Sequence, residues 1–402
     1  MKIILFVPQT KTNYRLLKSY SAELDPSLFK ILFLRNRLSG DLHDIGPEAQ
    51  NDGIEIVSAP FLLEPIKETH EWKKALVFRS MHTKLVDFIK GLHLDLIIVG
   101  VDARAIGRWC TIAANQLSIP SLVCQEGCRG LYEPALTLPI RIKRWIHEKL
   151  SPYLFWPVGY ALDYNTAKYA AVWGEYDRKI AIRNGSKNEN VIIIGRPLKK
   201  ISDTLIEKKN IANTKPTLLF LDVPILTWPA GSADYQGFQI FRKEIIKRTI
   251  ECGWKILYKL HPLIVKKEKE DVSKMVSEHN ECCIIENGLA EDYFAQCNAC
   301  ATFPSTAVYS ALENIIPLLF LMPQVRGFKK ILWDPTEKYG AGIRIKNAKD
   351  INSALKIVLN EQWIDKYAIK SRNAILEIVG TMNNEKRFQS LLLKILNLFW
   401  SA

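Results

Sequence analysis

The sequence predicts an α/β fold made twice over: two Rossmann-type, doubly wound parallel-sheet domains facing each other across a cleft. Three observations predict it. Short apolar runs alternate with helical patterns from end to end. The pattern breaks once, in a polar, lysine-rich stretch at residues 199–216, and then restarts. Polar breaks follow several of the apolar runs, where a parallel strand would end and a helix begin, the edge at which open α/β sheets bind ligands.

In the first half the strand candidates are Ile3–Val7, Lys30–Leu34, Ile54–Ser58, Leu94–Val99, Ser121–Gln125, Ala170–Trp173 and Val191–Ile194. They are rich in Val, Ile and Leu without strict alternation, as strands covered on both faces are. Helical patterns at Glu71–Lys90 and Ala103–Gln116 separate some of them. The second half repeats the scheme. Strands are expected at Thr217–Leu221, Lys255–Leu260, Cys282–Glu286, Ala299–Thr302, Leu318–Leu321 and Gly342–Ile345. Helices are expected at about Phe238–Cys252, Lys267–His279, Leu289–Gln296, Ser305–Glu313 and Ala348–Leu359. The expected domains are therefore 1–198, for an acceptor, and 217–382, for a nucleotide donor, joined by the linker 199–216 and followed by an amphipathic helix at 383–402.

At 402 residues the chain can bury two cores of ordinary size, and 48% hydrophobic with 24% charged residues is a globular balance. No apolar run reaches the length of a spanning helix, and the N-terminus lacks the pattern of a signal peptide. The expectation is a cytoplasmic protein. A net charge of +13 implies an anionic partner: nucleic acid, a membrane surface or a phosphorylated substrate. Basic residues stand beside aromatics in residues 141–156 and again in the C-terminal segment from Arg387 to Trp400. Both would suit the inner face of an anionic membrane, and both also fit amphipathic helices packed on their own domains, the reading favoured for the C-terminal segment. Eight cysteines lack the spacing of a disulfide scaffold. Cys297 and Cys300 form a CxxC, but they border an expected buried strand on which neighbouring residues point apart, so no metal site is expected there. The acidic run Glu268-Lys269-Glu270-Asp271 reads as a solvated helix face.

The residues suited to chemistry lie at the polar breaks. His261, fixed in an extended backbone by Pro262, can project from a strand end and donate a hydrogen bond or a proton to a departing phosphate. Ser305 and Thr306 open a helix, where two hydroxyls, free N–H groups and the helix dipole favour an anion. Glu313, about two turns on, can accept from a ribose diol, although a solvated helix glutamate would read the same. Together these residues point to an enzyme using a nucleotide-activated donor. In the first half Glu126, flanked by Gly127 and Gly130, is the candidate general base; Arg129 follows it, and Asp102 and Arg104 sit at the neighbouring strand end. No GxxxxGK[ST] loop and no GxGxxG after the first strand are present, which argues against nucleotide hydrolases and dinucleotide oxidoreductases. No aspartate-x-aspartate pair closes a strand, so a metal-clamped sugar diphosphate is not favoured.

The set Gln125-Glu126-Gly127, Lys259-Leu260-His261-Pro262 and Ser305-Thr306 resembles bacterial sialyltransferases, polysialyltransferases and the related transferases of Kdo and other keto-sugar acids. Those enzymes carry a D/E-D/E-G motif, an HP motif and a Ser/Thr pair in this order, on a two-Rossmann, GT-B-type fold. The resemblance implies that Glu126 is the catalytic base, that His261 stabilises the leaving cytidine monophosphate, and that Ser305 and Thr306 bind its phosphate. Gln125 departs from the pattern, standing where the family has an acid. Similar HP and Ser/Thr segments occur in teichoic-acid glycerophosphate transferases and in UDP-sugar epimerases, and Ala311-Leu312-Glu313 looks like the ribose-binding helix end of the whole fold. The implied activity is metal-independent transfer of a keto-sugar acid from a CMP-activated donor to a glycan or lipid-linked acceptor in surface polysaccharide synthesis. No cofactor and no nucleic acid are implied. The alternatives are a UDP-sugar transferase or epimerase, a CDP-alcohol transferase of the same fold, or a non-catalytic component of polysaccharide assembly.

Overall fold

The computed structural model describes residues 1–38, 44–64, 71–102, 105–127, 142, 164, 166–196, 215–227, 234–262, 264–325, 334–380 and 387–397. The chain divides into two compact units after Pro197 and returns to the first at Ile378.

Among the described residues the first unit holds seven strands: β1 Lys2–Val7, β2 Phe29–Leu34, β3 Ile56–Val57, β4 Leu96–Val99, β5 Ser121–Cys124, β6 Tyr169–Val172 and β7 Val191–Ile193. Every pairing is parallel, in the order β3-β2-β1-β4-β5-β6-β7. Side chains alternate across each strand, so β1 feeds two cores at once. Leu5 and Val7 join Ile97, Val99, Leu85, Trp109 and Ala113 on one face. Ile4 and Phe6 join Tyr14, Leu17, Tyr20, Ile98 and Phe388 on the other. This double burial explains why β4 and β5 carry almost no polar residue.

The helix Arg387–Ile395 belongs to that second core. Phe388, Leu391 and Leu392 are buried, and the Phe388 ring stacks on Tyr20 with centroids 4.6 Å apart. The apolar stripe that suited a bilayer is covered by the protein's own first unit. The other segment read that way, 141–156, lies outside the described residues apart from Ile142, as does most of the expected linker, 199–214.

The second unit holds β8 Thr217–Leu221, β9 Lys255–Lys259, β10 Cys282–Ile285, β11 Ala299–Thr302, β12 Leu318–Leu321 and β13 Ile343–Ile345. They too are all parallel, in the order β10-β9-β8-β11-β12-β13. One core packs Leu218, Phe220, Ile256 and Tyr258 against Phe238, Phe241, Ile245 and Val272 of the helices Tyr235–Glu251 and Lys266–Ser277. The 19-residue helix Glu361–Val379 is held where the Tyr367 hydroxyl donates to the Ile316 carbonyl at 2.5 Å. Cys297 and Cys300 are both buried, and burial holds the Cys300 thiol well above its ordinary pKa. Among the described residues no group of three His, Cys, Asp or Glu side chains is placed to hold a metal ion, and no helix is long and apolar enough to cross a membrane.

In each sheet the strand order reverses once, between β1 and β4 and between β8 and β11. The carboxyl ends of these strand pairs are the switch points at which open parallel sheets leave a crevice.

Candidate active site

In the second unit β9 ends at Lys259, and its ladder runs one bond further, from Leu260 N–H to the Ile285 carbonyl at 2.9 Å. His261 follows, its carbonyl accepting from Ile264 N–H at 3.0 Å in a tight turn before the helix Lys266–Ser277. Pro262 is exposed and the imidazole half-buried. Burial, and then the charge of Lys259, push the His261 pKa down to about 4. At neutral pH the ring is therefore uncharged, a hydrogen-bond donor through one nitrogen and an acceptor through the other.

On the same edge of the sheet, two strands from β9, β11 ends at Thr302, whose hydroxyl donates to the Phe303 carbonyl at 3.0 Å and lies 3.3 Å from the Ser305 hydroxyl. The expected helix starts later than its sequence pattern, at Ala307. Ser305 is not its N-cap, because its hydroxyl is engaged with Thr302. Thr306 takes the cap position, with a helical backbone and no side-chain cap bond. The carbonyls of Ser305 and Thr306 accept from Val308 and Tyr309, which closes the first turn. Both hydroxyls thus stand at the opening of a helix, beside the switch point of the sheet. Glu313 is the last residue of that helix and is 8% exposed.

The same switch point contains a buried ionic cluster. Asp222 follows β8 directly, and Arg242 Nη2 donates to Asp222 Oδ1 at 2.6 Å, to Glu268 Oε1 at 2.9 Å and to the Val223 carbonyl at 2.9 Å. The Glu268 carboxylate also accepts from Ile225 N–H and Leu226 N–H, at 3.0 and 3.2 Å. Burial pushes the Asp222 pKa up against the pull of Arg242. Burial works against the charge of Arg242 as well, but Asp222, Tyr258 and Glu268 outweigh it and hold its pKa above the ordinary value. The acidic run is therefore not wholly a solvated face: Glu268 is fully buried and ties the helix Lys266–Ser277 to the loop after β8. The available signal was Arg242, a cation at helical spacing from Phe238, Ile245 and Ile246, positions that all face the core.

In the first unit Gln125 is fully buried at the end of β5. Its Oε1 accepts from Trp173 N–H at 2.7 Å, and its Nε2 donates to the Gly127 carbonyl at 3.0 Å. An ionised carboxylate accepts only, so an acid here would lose the second bond. The departure from the D/E-D/E-G pattern thus has a local cause: the amide clamps the turn on which the half-buried Glu126 sits. Asp102 is 0% exposed and accepts from Tyr164 N–H at 2.6 Å, Thr166 N–H at 2.8 Å and Ala167 N–H at 3.2 Å. Its carboxylate binds the backbone leading to β6 rather than opening onto a cleft. Arg104 and Arg129 lie outside the described residues. Glu126 belongs to the first unit; His261, Ser305, Thr306 and Glu313 belong to the second.

No family model matches the chain. No curated protein matches it either. Solved structures do, over nearly the full length. A structure of MnaA with UDP from S. aureus superposes with a TM-score of 0.65 at 15% identity, covering 99% of this chain and 98% of that one. UDP-GlcNAc 2-epimerase from Neisseria meningitidis bound to UDP-GlcNAc gives 0.60 at 12% identity, with 98% and 100% covered. MurG from Acinetobacter baumannii gives 0.54 at 10%, with 99% and 100% covered. At such identities the likeness speaks for the fold: the chain has a GT-B-like α/β fold of two parallel-sheet units.

Proposed function

We propose that the protein is an enzyme acting on a nucleotide-activated sugar, with uridine diphosphate as the carrier and transfer or epimerisation as the reaction. One observation carries the reading. In the second unit a neutral histidine follows β9, and a hydroxyl pair with a helix opening follows β11, at the strand ends where open parallel sheets bind ligands. Several solved structures of similar fold hold UDP or a UDP-sugar, which supports uridine diphosphate over a CMP-linked keto-sugar acid. The motif set Gln125-Glu126-Gly127, His261-Pro262 and Ser305-Thr306 favours the CMP donor and keeps it as the second reading.

In either case the second unit binds the nucleotide. Ser305, Thr306 and the first N–H groups of their helix take phosphate oxygens, and Glu313 takes the ribose. His261, neutral at pH 7, donates a hydrogen bond to the phosphate oxygen that gains charge as the bond to the sugar breaks. Glu126 is the acid–base group. In transfer it accepts the proton of the acceptor hydroxyl as that oxygen bonds to the anomeric carbon. The acceptor is a glycan or a lipid-linked glycan, in keeping with the basic balance of the chain. We assign the reaction no metal ion, since no aspartate-x-aspartate pair closes a strand. Calorimetry with UDP, CDP and CMP tests the donor. UDP should bind tightest, and a clear preference for CMP would move the assignment to the keto-sugar reading. Incubation with a UDP-sugar alone then separates the reactions, because only an epimerase turns over without an acceptor.

A further inference from the structure

Lys259 is the last residue of β9 and is 6% exposed, yet no carboxylate lies within 4 Å of its ammonium among the described residues. Its hydrogen bond is a long one, 3.4 Å from Nζ to the Leu260 carbonyl, which leaves most of its donor capacity unused. Asp292 acts on it only through its field, and the Asp292 carboxylate is already taken by Leu289 N–H at 2.7 Å. A buried cation without an anion is costly, and the fold elsewhere avoids that cost: Arg242, fully buried, has two carboxylates. The Nζ–Leu260 contact places the ammonium at the carboxyl end of β9, one residue short of His261. Its charge is felt at the imidazole.

We infer that Lys259 is a further phosphate-binding residue, whose ammonium is completed by an oxyanion of the nucleotide held at His261. This assignment rests on the proposed nucleotide site of the second unit. Burial lowers the Lys259 pKa in the empty protein, as an ammonium waiting for its counter-charge requires. A bound phosphate removes that penalty and completes the donor set at the edge where His261 stands.

Lys259→Met tests it, since methionine fills a similar unbranched volume without charge. Its thermal midpoint without ligand and its affinities for UDP, CMP and inorganic pyrophosphate are compared with those of the wild type. The expected result has opposite signs: the variant melts at or above the wild-type temperature and binds UDP about 10–100-fold more weakly, the loss of one charge-assisted hydrogen bond. Lys259→Arg, which keeps the charge, should stay within about three-fold. Unchanged UDP affinity in Lys259→Met overturns the inference and leaves the nucleotide reading standing. A Lys259→Met protein that melts lower or fails to fold also overturns it, because the ammonium would then be needed by the empty fold. If the wild type binds pyrophosphate but neither nucleotide, and Lys259→Met loses that binding, the anion site stands and the nucleotide reading falls. Binding of none of the three probes by the wild type overturns both.

Discussion

His261 and Glu126 would divide the chemistry, and each makes a separate prediction. The imidazole is held near pKa 4 by burial and by Lys259, while an unfolded histidine titrates near 6.5. Its contribution to stability is complete above about pH 6.5 and is lost as pH falls toward about 4, because the unfolded chain takes up the proton first. A bound phosphate raises the His261 pKa, so nucleotide binding takes up a proton. From a starting value of about 4 that uptake lies below about pH 6, so affinity should rise there as pH is lowered while the ring stays neutral at pH 7, and His261→Gln should flatten that dependence in calorimetric titrations. At Glu126 the substitution is Gln, which keeps size and one acceptor but cannot take a proton. Turnover should fall by about 10²–10⁴-fold with little change in nucleotide affinity. Native turnover in Glu126→Gln at saturating substrate would remove this carboxylate from the mechanism. Asp102 would not replace it, since both its oxygens are bound to the backbone. Glu126 and His261 could be picked out in the sequence because glycine and proline mark their turns. The engagement of Asp102 and Gln125 could not, because their partners lie 48 or more positions away in the chain, at Tyr164 and Trp173.

Among elements, the strands were legible and some helices were not. A strand covered on both faces is an unbroken apolar run, and Leu96–Val99 or Leu318–Leu321 can be read from composition alone. The helix Glu361–Val379 mixes charged and apolar residues without a clean stripe, and the helix Lys11–Ser21 is largely polar with its buried face made by Asn13, Tyr14, Leu17 and Tyr20. Neither stands out until its partners are present. Glu268 shows the same limit more sharply: in sequence it is one acid among lysines, in the fold it shares Arg242 with Asp222. Removing that arginine strands two carboxylates in the interior. Arg242→Met should cost about 3–5 kcal/mol in urea denaturation, and adding Asp222→Asn and Glu268→Gln should recover a substantial part of it. If the single variant were as stable as the wild type, the cluster would not hold the loop after β8.

For the molecule as a whole, the sequence carried the two-unit architecture because parallel sheets impose the same strand-and-helix rhythm twice. It did not carry the return of the chain to the first unit at Ile378, where Phe388 docks on Tyr20. An amphipathic helix looks alike whether lipid or protein covers it. The proposed placing of the nucleotide on the second unit gives the last prediction. A nucleotide held at the second unit should slow amide exchange there, in the segments that follow the carboxyl ends of β9 and β11. At a UDP concentration about 100 times its dissociation constant, linkage adds about 2.7 kcal/mol to the stability of any unit that binds it. The second unit should therefore gain protection throughout its sheet, strongest at the carboxyl ends of β9 and β11. The equivalent edge of the first unit, at Gln9 and Asp102 beside β1 and β4, should change far less. Protection concentrated at that edge instead would place the nucleotide on the first unit and reverse the assignment of donor and acceptor.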